Sequence, residues 1–198
     1  MEAYVKWQLE EGIIQVVAEG ACLGVPDQMR DLMWICDRVK PNSILEIGFN
    51  AGHSANIFLG SCPEGTVVSM DLGVHKYVHK CKEGIDLFYP GRHTLVVGNS
   101  LESLPNLHKR FQPVFDLIFI DGGHSYEVAK QDLENSKKLS HSETIVVMDD
   151  TYRSQTGSME WNEGPNKAWS EHIERGHLVE IGSRDYLPGR GMSWGFFH

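Results

Sequence analysis

Five short, nearly continuous apolar runs recur along the chain: Ser43–Ile47, Thr66–Met70, Thr94–Val97, Phe115–Ile120 and Thr144–Met148. Rich in β-branched residues and without polar alternation, they predict strands buried on both faces. Longer amphipathic segments separate them, at Ser54–Gly60, Val74–Phe88, Leu101–Phe111 and Tyr126–Leu139. These predict helices, the third accommodating Pro105 only near its start. Strand–helix alternation of this kind predicts a doubly wound α/β fold, a parallel sheet with helices on both faces. The pattern changes after residue 160. Gly164-Pro165 predicts a helix start with Pro at the first helical position, and Arg175-Gly176 its end. Two strand-like pieces follow, His177–Ile181 and Met192–Phe197, joined through Pro188-Gly189-Arg190-Gly191. With no helix between them, they predict an antiparallel pair at one sheet edge, bringing the strands to seven. Residues 1–40 read as largely helical, with Met29, Leu32, Met33 and Cys36 forming an i, i+3, i+4, i+7 apolar stripe. That segment is expected to cap the sheet or form a lid over a core of residues 41–198, the whole chain 1–198 being a single domain.

Composition narrows the function classes. With 41% hydrophobic and 23% charged residues, the 198-residue chain has a globular balance and enough length for a sizeable core. The 18 Lys and Arg against 27 Asp and Glu give a formal charge of −9, which argues against a nucleic-acid surface and suits a divalent cation. There is no apolar signal-like core at the N-terminus and no apolar run of membrane length, so no membrane partner is expected. Cys22, Cys36, Cys62 and Cys81 form no Cys-x-x-Cys pair and are expected as reduced thiols in a cytoplasmic protein. A homo-oligomer, or a place as one domain of a larger polypeptide, is compatible with the sequence.

In open α/β sheets, ligands bind beyond the carboxyl ends of the strands. The first such turn reads Glu46-Ile47-Gly48-Phe49-Asn50-Ala51-Gly52-His53-Ser54. Gly48 permits a tight turn and Gly52 a close backbone approach. A dinucleotide fingerprint would need Gly where Asn50 stands, and Glu46 would repel phosphates, which weighs against an NAD-dependent oxidoreductase. The second strand ends at Met70-Asp71, a carboxylate placed to accept from both hydroxyls of a ribose, and the third at the polar tip Gly98-Asn99-Ser100. The segment Ile44–Ser54 resembles motif I of class I S-adenosylmethionine-dependent methyltransferases, and the similarity covers roughly residues 25–198. The resemblance implies a Rossmann-like, mostly parallel seven-stranded sheet with an antiparallel last strand. It also implies S-adenosylmethionine held by Glu46, Gly48, Phe49, Asn50, Gly52, Ser54, Asp71, Leu72, Asn99 and Ser100.

The fourth strand runs into Asp121-Gly122-Gly123-His124 and the fifth into Asp149-Asp150. Adjacent parallel strands lie about 4.8 Å apart, so these carboxylates should converge at one rim and repel one another unless a proton or cation intervenes. Oxygen-rich, Cys-free ligation favours a hard ion, Mg²⁺ or Mn²⁺, over structural zinc. The set resembles that of metal-dependent O-methyltransferases, more closely those that methylate sugar hydroxyls. That implies Asp121, Asp149 and Asp150 as metal ligands and His124, with Asp121, as the catalytic pair, His124 taking the proton. Catechol-type relatives have Lys in place of His124 and Asn in place of Asp150. The expected reaction is methyl transfer to a hydroxyl of a small-molecule or glycan vicinal diol, the alternatives being a non-catalytic S-adenosylmethionine-binding module and a catechol-type enzyme. His75 and His79 are expected on a solvated helix face, and His53 carries no assigned chemistry. Tyr152, Trp161 and Trp169 are candidates for either a substrate wall or the core.

Overall fold

A computed structural model of the protein describes residues 1–14, 24–112, 114–154, 159–186 and 189–198. Cys22 and Pro188 lie outside the described residues. The chain runs α1 (Glu2–Glu10), α2 (Pro26–Val39), β1 (Ser43–Ile47), α3 (His53–Ser61), β2 (Thr66–Asp71), α4 (Tyr77–Phe88), β3 (His93–Val97), α5 (Ser100–Phe111), β4 (Phe115–Ile120), α6 (Tyr126–Lys137), β5 (Ser140–Asp149), α7 (Glu160–Glu174), β6 (Leu178–Asp185) and β7 (Gly191–Phe197). The seven strands form one sheet in the order β3-β2-β1-β4-β5-β7-β6. β1 to β5 are mutually parallel, and β7 runs antiparallel to both β5 and β6. The fold is therefore the Rossmann-like, mostly parallel seven-stranded sheet with a reversed last strand expected from the sequence. Among the described residues no helix is long and apolar enough to cross a membrane.

Alternation along each strand builds two cores. Ile44, Val67, Leu117, Phe119 and Val147 pack against α1 to α4, while Leu45, Met70, Ile118, Ile120 and Met148 pack against α5 to α7. Burial on both faces explains why these strands lack polar alternation. Glu46 shares its face of β1 with Ile44, so it points into the layer beneath α3 and is fully buried. There it accepts from Ser54 Oγ and Ser69 Oγ, each at 2.5 Å. Burial pushes its carboxyl up to about 7.

Several predicted boundaries move, each for a local reason. The inward face of α2 is Gln28, Leu32, Ile35 and Cys36, leaving Met33 exposed, so the expected stripe is rotated by part of a turn. α4 starts at Tyr77, so His75 lies in the loop before it, apart from His79. α7 starts at Glu160, a turn and more before Pro165, because the Asn162 side chain folds back to accept from the Met159 backbone N–H at 3.3 Å. Gly164 is thereby pressed backbone to backbone against the segment after β4, where a Cβ would run into the His124 carbonyl. Trp169 is fully buried and its Nε1 donates to Glu180 at 2.6 Å, which assigns it to the core.

Two outcomes follow from this packing. Gly164→Ala should cost about 3 kcal/mol, since neither backbone can yield, measured by urea unfolding. For Glu46, folded and unfolded chains are both protonated below its ordinary pKa of 4.5, but up to about 7 only the folded chain keeps the proton. Stability therefore falls as pH rises through that window, by about 3 kcal/mol in total. Glu46→Gln should remove this slope, seen as a difference in unfolding free energy between wild type and variant that grows across the same pH range.

Candidate active site

The carboxyl ends of β3, β2, β1, β4 and β5, with the turn before β7, open onto one cleft of ≈ 770 Å³. Following the strand order, Gly48, Asn50, Asp71, Leu72, Asn99 and Ser100 line it over β1 to β3, Asp121, His124 and Asp150 in the middle after β4 and β5, and Arg190 before β7, with Trp161 of α7 also in the lining. The turn after β1 is locked onto its neighbours. The Gly48 N–H donates to the Met70 carbonyl and the Asp121 N–H to the Ile47 carbonyl, both at 2.8 Å. Gly48 has φ +101°, and any Cβ there would collide with the Asp121 carbonyl. Only glycine fits on both counts. Asn50 adopts a left-handed conformation at φ 47°, its Oδ1 accepting from the Tyr77 hydroxyl at 2.6 Å.

Asp71 closes this turn. Its Oδ2 accepts from the backbone N–H groups of Phe49 at 3.2 Å and Asn50 at 2.8 Å, and its Oδ1 from that of Gly73 at 2.7 Å. From below, α1 clamps the same turn. The Tyr4 hydroxyl and Gln8 Nε2 each donate to the Ala51 carbonyl at 2.8 Å, and Gln8 Oε1 stands 3.0 Å from His53 Nε2. Burial depresses the His53 ring to about 4, so it is neutral at pH 7. The N-terminal segment thus supports the turn from its core side.

Of the ten residues expected around a cofactor, the structure brings six to the cleft. The other four lie beneath it. Glu46 and Ser54 are buried against each other, Phe49 is stacked on His93 with ring centroids 5.0 Å apart, and Gly52 is the left-handed N-cap of α3. Strand alternation explains Glu46, and the inward swing of the turn explains the rest. In compensation His75 lines the cleft, its ring stacked on Tyr77 at 5.0 Å.

The carboxylates converge as the strand order requires. Single ligand atoms of Asp121, His124 and Asp150 all lie within 4.8 Å of one another. His124 Nε2 is 3.1 Å from Asp150 Oδ2. Asp150 adopts φ 56°, a strained conformation for a non-glycine residue, and its Oδ1 is buried with no hydrogen-bond partner. Asp149 turns away from this trio. It is buried, and its Oδ1 accepts from Gln28 Nε2 at 2.7 Å. Burial, reinforced by the charges of Asp149 and Asp150, holds the Asp121 carboxyl well above the usual range. Burial and Asp150 push Asp149 up to about 7. Both shifts disfavour the charged carboxylates, burial first and neighbouring negative charge second. Sequence reasoning did not single out Gln28, which sits far from the strands in the chain and carries no motif. Arg190 figured only as part of a turn.

A family model described as a methyltransferase domain matches residues 45–151, just over half of the chain. Among curated proteins, none matches the sequence significantly. Among solved structures, an O-methyltransferase from Bacillus cereus in complex with S-adenosylhomocysteine superposes with a TM-score of 0.81 at 19% identity, covering 99% of this chain and 91% of that one. TomG, the Streptomyces achromogenes O-methyltransferase of tomaymycin synthesis in complex with S-adenosylmethionine, gives 0.73 at 17% identity, covering 99% and 88%. CalS11, a TDP-rhamnose 3′-O-methyltransferase of calicheamicin biosynthesis, gives 0.65 at 22% identity, covering 96% and 85%. With the glycine turn, the sheet order and the matched region all pointing one way, the chain belongs to the methyltransferase-domain family.

Proposed function

We propose that the protein transfers a methyl group from S-adenosylmethionine to a hydroxyl of a sugar or another vicinal diol, assisted by a divalent cation and by His124. The observation that carries this reading is the Asp121–His124–Asp150 cluster in the middle of the cleft, beside the glycine turn after β1. The donor set fits a hard cation: carboxylate oxygens that repel one another, one of them, Asp150 Oδ1, buried without a partner. Asp121 and Asp150 would hold the ion, and Asp149, hydrogen-bonded to Gln28 and set apart from the trio, adds negative charge behind it. Bound there, Mg²⁺ or Mn²⁺ supplies Lewis acidity, lowering the pKa of an acceptor hydroxyl.

The chain's own residues do the rest. Asp71 has about four acceptor positions. Backbone N–H groups already engage three, which leaves room for one ribose hydroxyl rather than two. Asn99, exposed just after β3, and Ser100 line the cleft and would meet the adenine. His124, whose Nε2 stands 3.1 Å from Asp150 Oδ2, is the residue that would take the acceptor proton. Methyl transfer is an in-line displacement at the sulfonium methyl, so the site contributes chiefly alignment and exclusion of water. The TDP-rhamnose enzyme of like fold makes sugar hydroxyls the first acceptors to try.

Calorimetric titration should show S-adenosylhomocysteine binding, and Mg²⁺ or Mn²⁺ binding that Asp150→Asn weakens sharply. No cofactor binding would sink the whole reading, whereas undiminished metal affinity in the variant would sink the cation part alone. With methyl-labelled donor and a panel of glycosides and diols followed by mass, His124→Ala should slow transfer by roughly 10²- to 10⁴-fold while leaving S-adenosylhomocysteine affinity unchanged.

A further inference from the structure

Arg190 stands apart from the other arginines of the protein. Arg30, Arg153, Arg175 and Arg184 pair with carboxylates. Arg92 donates to backbone carbonyls, and Arg38 and Arg110 lie over aromatic rings. Among the described residues no ion pair or hydrogen bond engages the Arg190 guanidinium, and it lines the cleft. Its charge acts on Asp121 and Asp149 from a distance, but no carboxylate of the described residues stands close enough to pair with it, which leaves the N–H donors of a half-buried arginine unspent.

Its backbone, by contrast, is fixed. The Arg190 carbonyl accepts from the Tyr186 N–H at 2.9 Å. The neighbouring Gly189 carbonyl accepts from Asn162 Nδ2 at 3.0 Å, pinning the turn to the first turn of α7. On the other side Gly191 is pressed so closely on the Thr151 carbonyl that no Cβ fits. The same pin joins the start of α7 to this turn, and Trp161, 41% exposed and adjacent in sequence to Asn162, lines the same cleft as Arg190. A hydrogen-bonded backbone, guanidinium donors without a close partner and a part-exposed indole lining the same cleft together describe a prepared subsite.

Its place in the fold says what it faces. Along the sheet the residues read for the methyl donor stand over β3, β2 and β1, the carboxylate cluster over β4 and β5, and Arg190 before β7. Arg190 is therefore at the end opposite the adenine, across the cluster, where the acceptor must lie. We propose that Arg190, with Trp161 as a stacking wall, forms an anion subsite that selects acceptors carrying a carboxylate or phosphoryl group beside the hydroxyl to be methylated. A guanidinium matches either group through paired N–H donors, and an indole face matches a sugar ring. This inference rests on the methyltransferase reading and adds the acceptor's charge to it.

The test uses the full chain loaded with S-adenosylhomocysteine and Mg²⁺, titrated calorimetrically with three probes: methyl α-glucuronide, glucose 6-phosphate and the neutral methyl α-glucoside. The expected result is tighter binding of one or both anions than of the neutral glycoside. Arg190→Met should weaken the anions by on the order of ten- to hundred-fold and leave the glycoside unchanged, and Arg190→Lys should restore part of the loss. Which anion binds tighter separates carboxylate from phosphoryl recognition. Equal binding of all three probes, or no anion binding by wild type, overturns the subsite. A loss of S-adenosylhomocysteine affinity in Arg190→Met overturns it too, by reassigning Arg190 to the donor's own carboxylate. Tighter Mg²⁺ binding in that variant with unchanged anion binding reassigns it to balancing the acidic cluster. Retained S-adenosylhomocysteine binding in any of these outcomes leaves the methyltransferase reading standing, and thermal unfolding of each variant confirms that it folds.

Discussion

Three acidic side chains brought to the ends of two adjacent buried strands are the constraint on which the rest of the site depends. Parallel pairing of β4 with β5 sets Ile120 opposite Met148, so the residues that follow, Asp121 on one strand and Asp149-Asp150 on the other, emerge side by side. Water is largely excluded there, and like charges at this range are costly. The raised Asp121 and Asp149 carboxyls are the direct sign of that cost. The neighbouring structure offsets it piecemeal: Gln28 donates to Asp149, His124 meets Asp150, and Arg190 adds a positive charge that reaches both Asp121 and Asp149. No element of the fold core needs this arrangement. Concentrated negative charge in the middle of a cleft is what the proposed cation would offset.

The same geometry explains the division of labour along the sheet. β1 sits at the point where strand order reverses, with β2 and β3 on one side and β4 and β5 on the other. The crevice at that switch point is the natural ligand position in such folds. Gly48 marks it, allowing the turn after β1 to lie against the Asp121 backbone so that the donor end and the acidic cluster share one cleft. The reversed β7 then delivers the turn carrying Arg190 to the far end.

Much of this was legible in the sequence because it depends on local signals. The buried strands announced themselves by continuous apolar runs, and β1 and β4 fall where those runs lie. The convergence of Asp121, His124 and Asp150 is legible because strand ends in a parallel sheet are forced to one rim. Other features escaped for physical reasons. Motif spacing cannot say whether a residue faces the cleft or the core, and strand alternation and turn direction bury Glu46, Phe49 and Ser54 beneath the cleft. The start of α7 depended on Asn162 folding back on Met159, which outweighed the stronger signal of Pro165. Gln28 and Arg190 matter only through contacts made by the tertiary fold, and neither carries a sequence signature.

The most direct measurement is anomalous diffraction from crystals grown with Mn²⁺ and S-adenosylhomocysteine. A single manganese peak within about 2.3 Å of carboxylate oxygens from Asp121 and Asp150, with the cofactor in the adjoining part of the cleft over Gly48 and Asp71, is the expected result. Cofactor bound in the cleft with no manganese between these carboxylates, or manganese bound only elsewhere, would contradict cation-assisted methyl transfer by this protein.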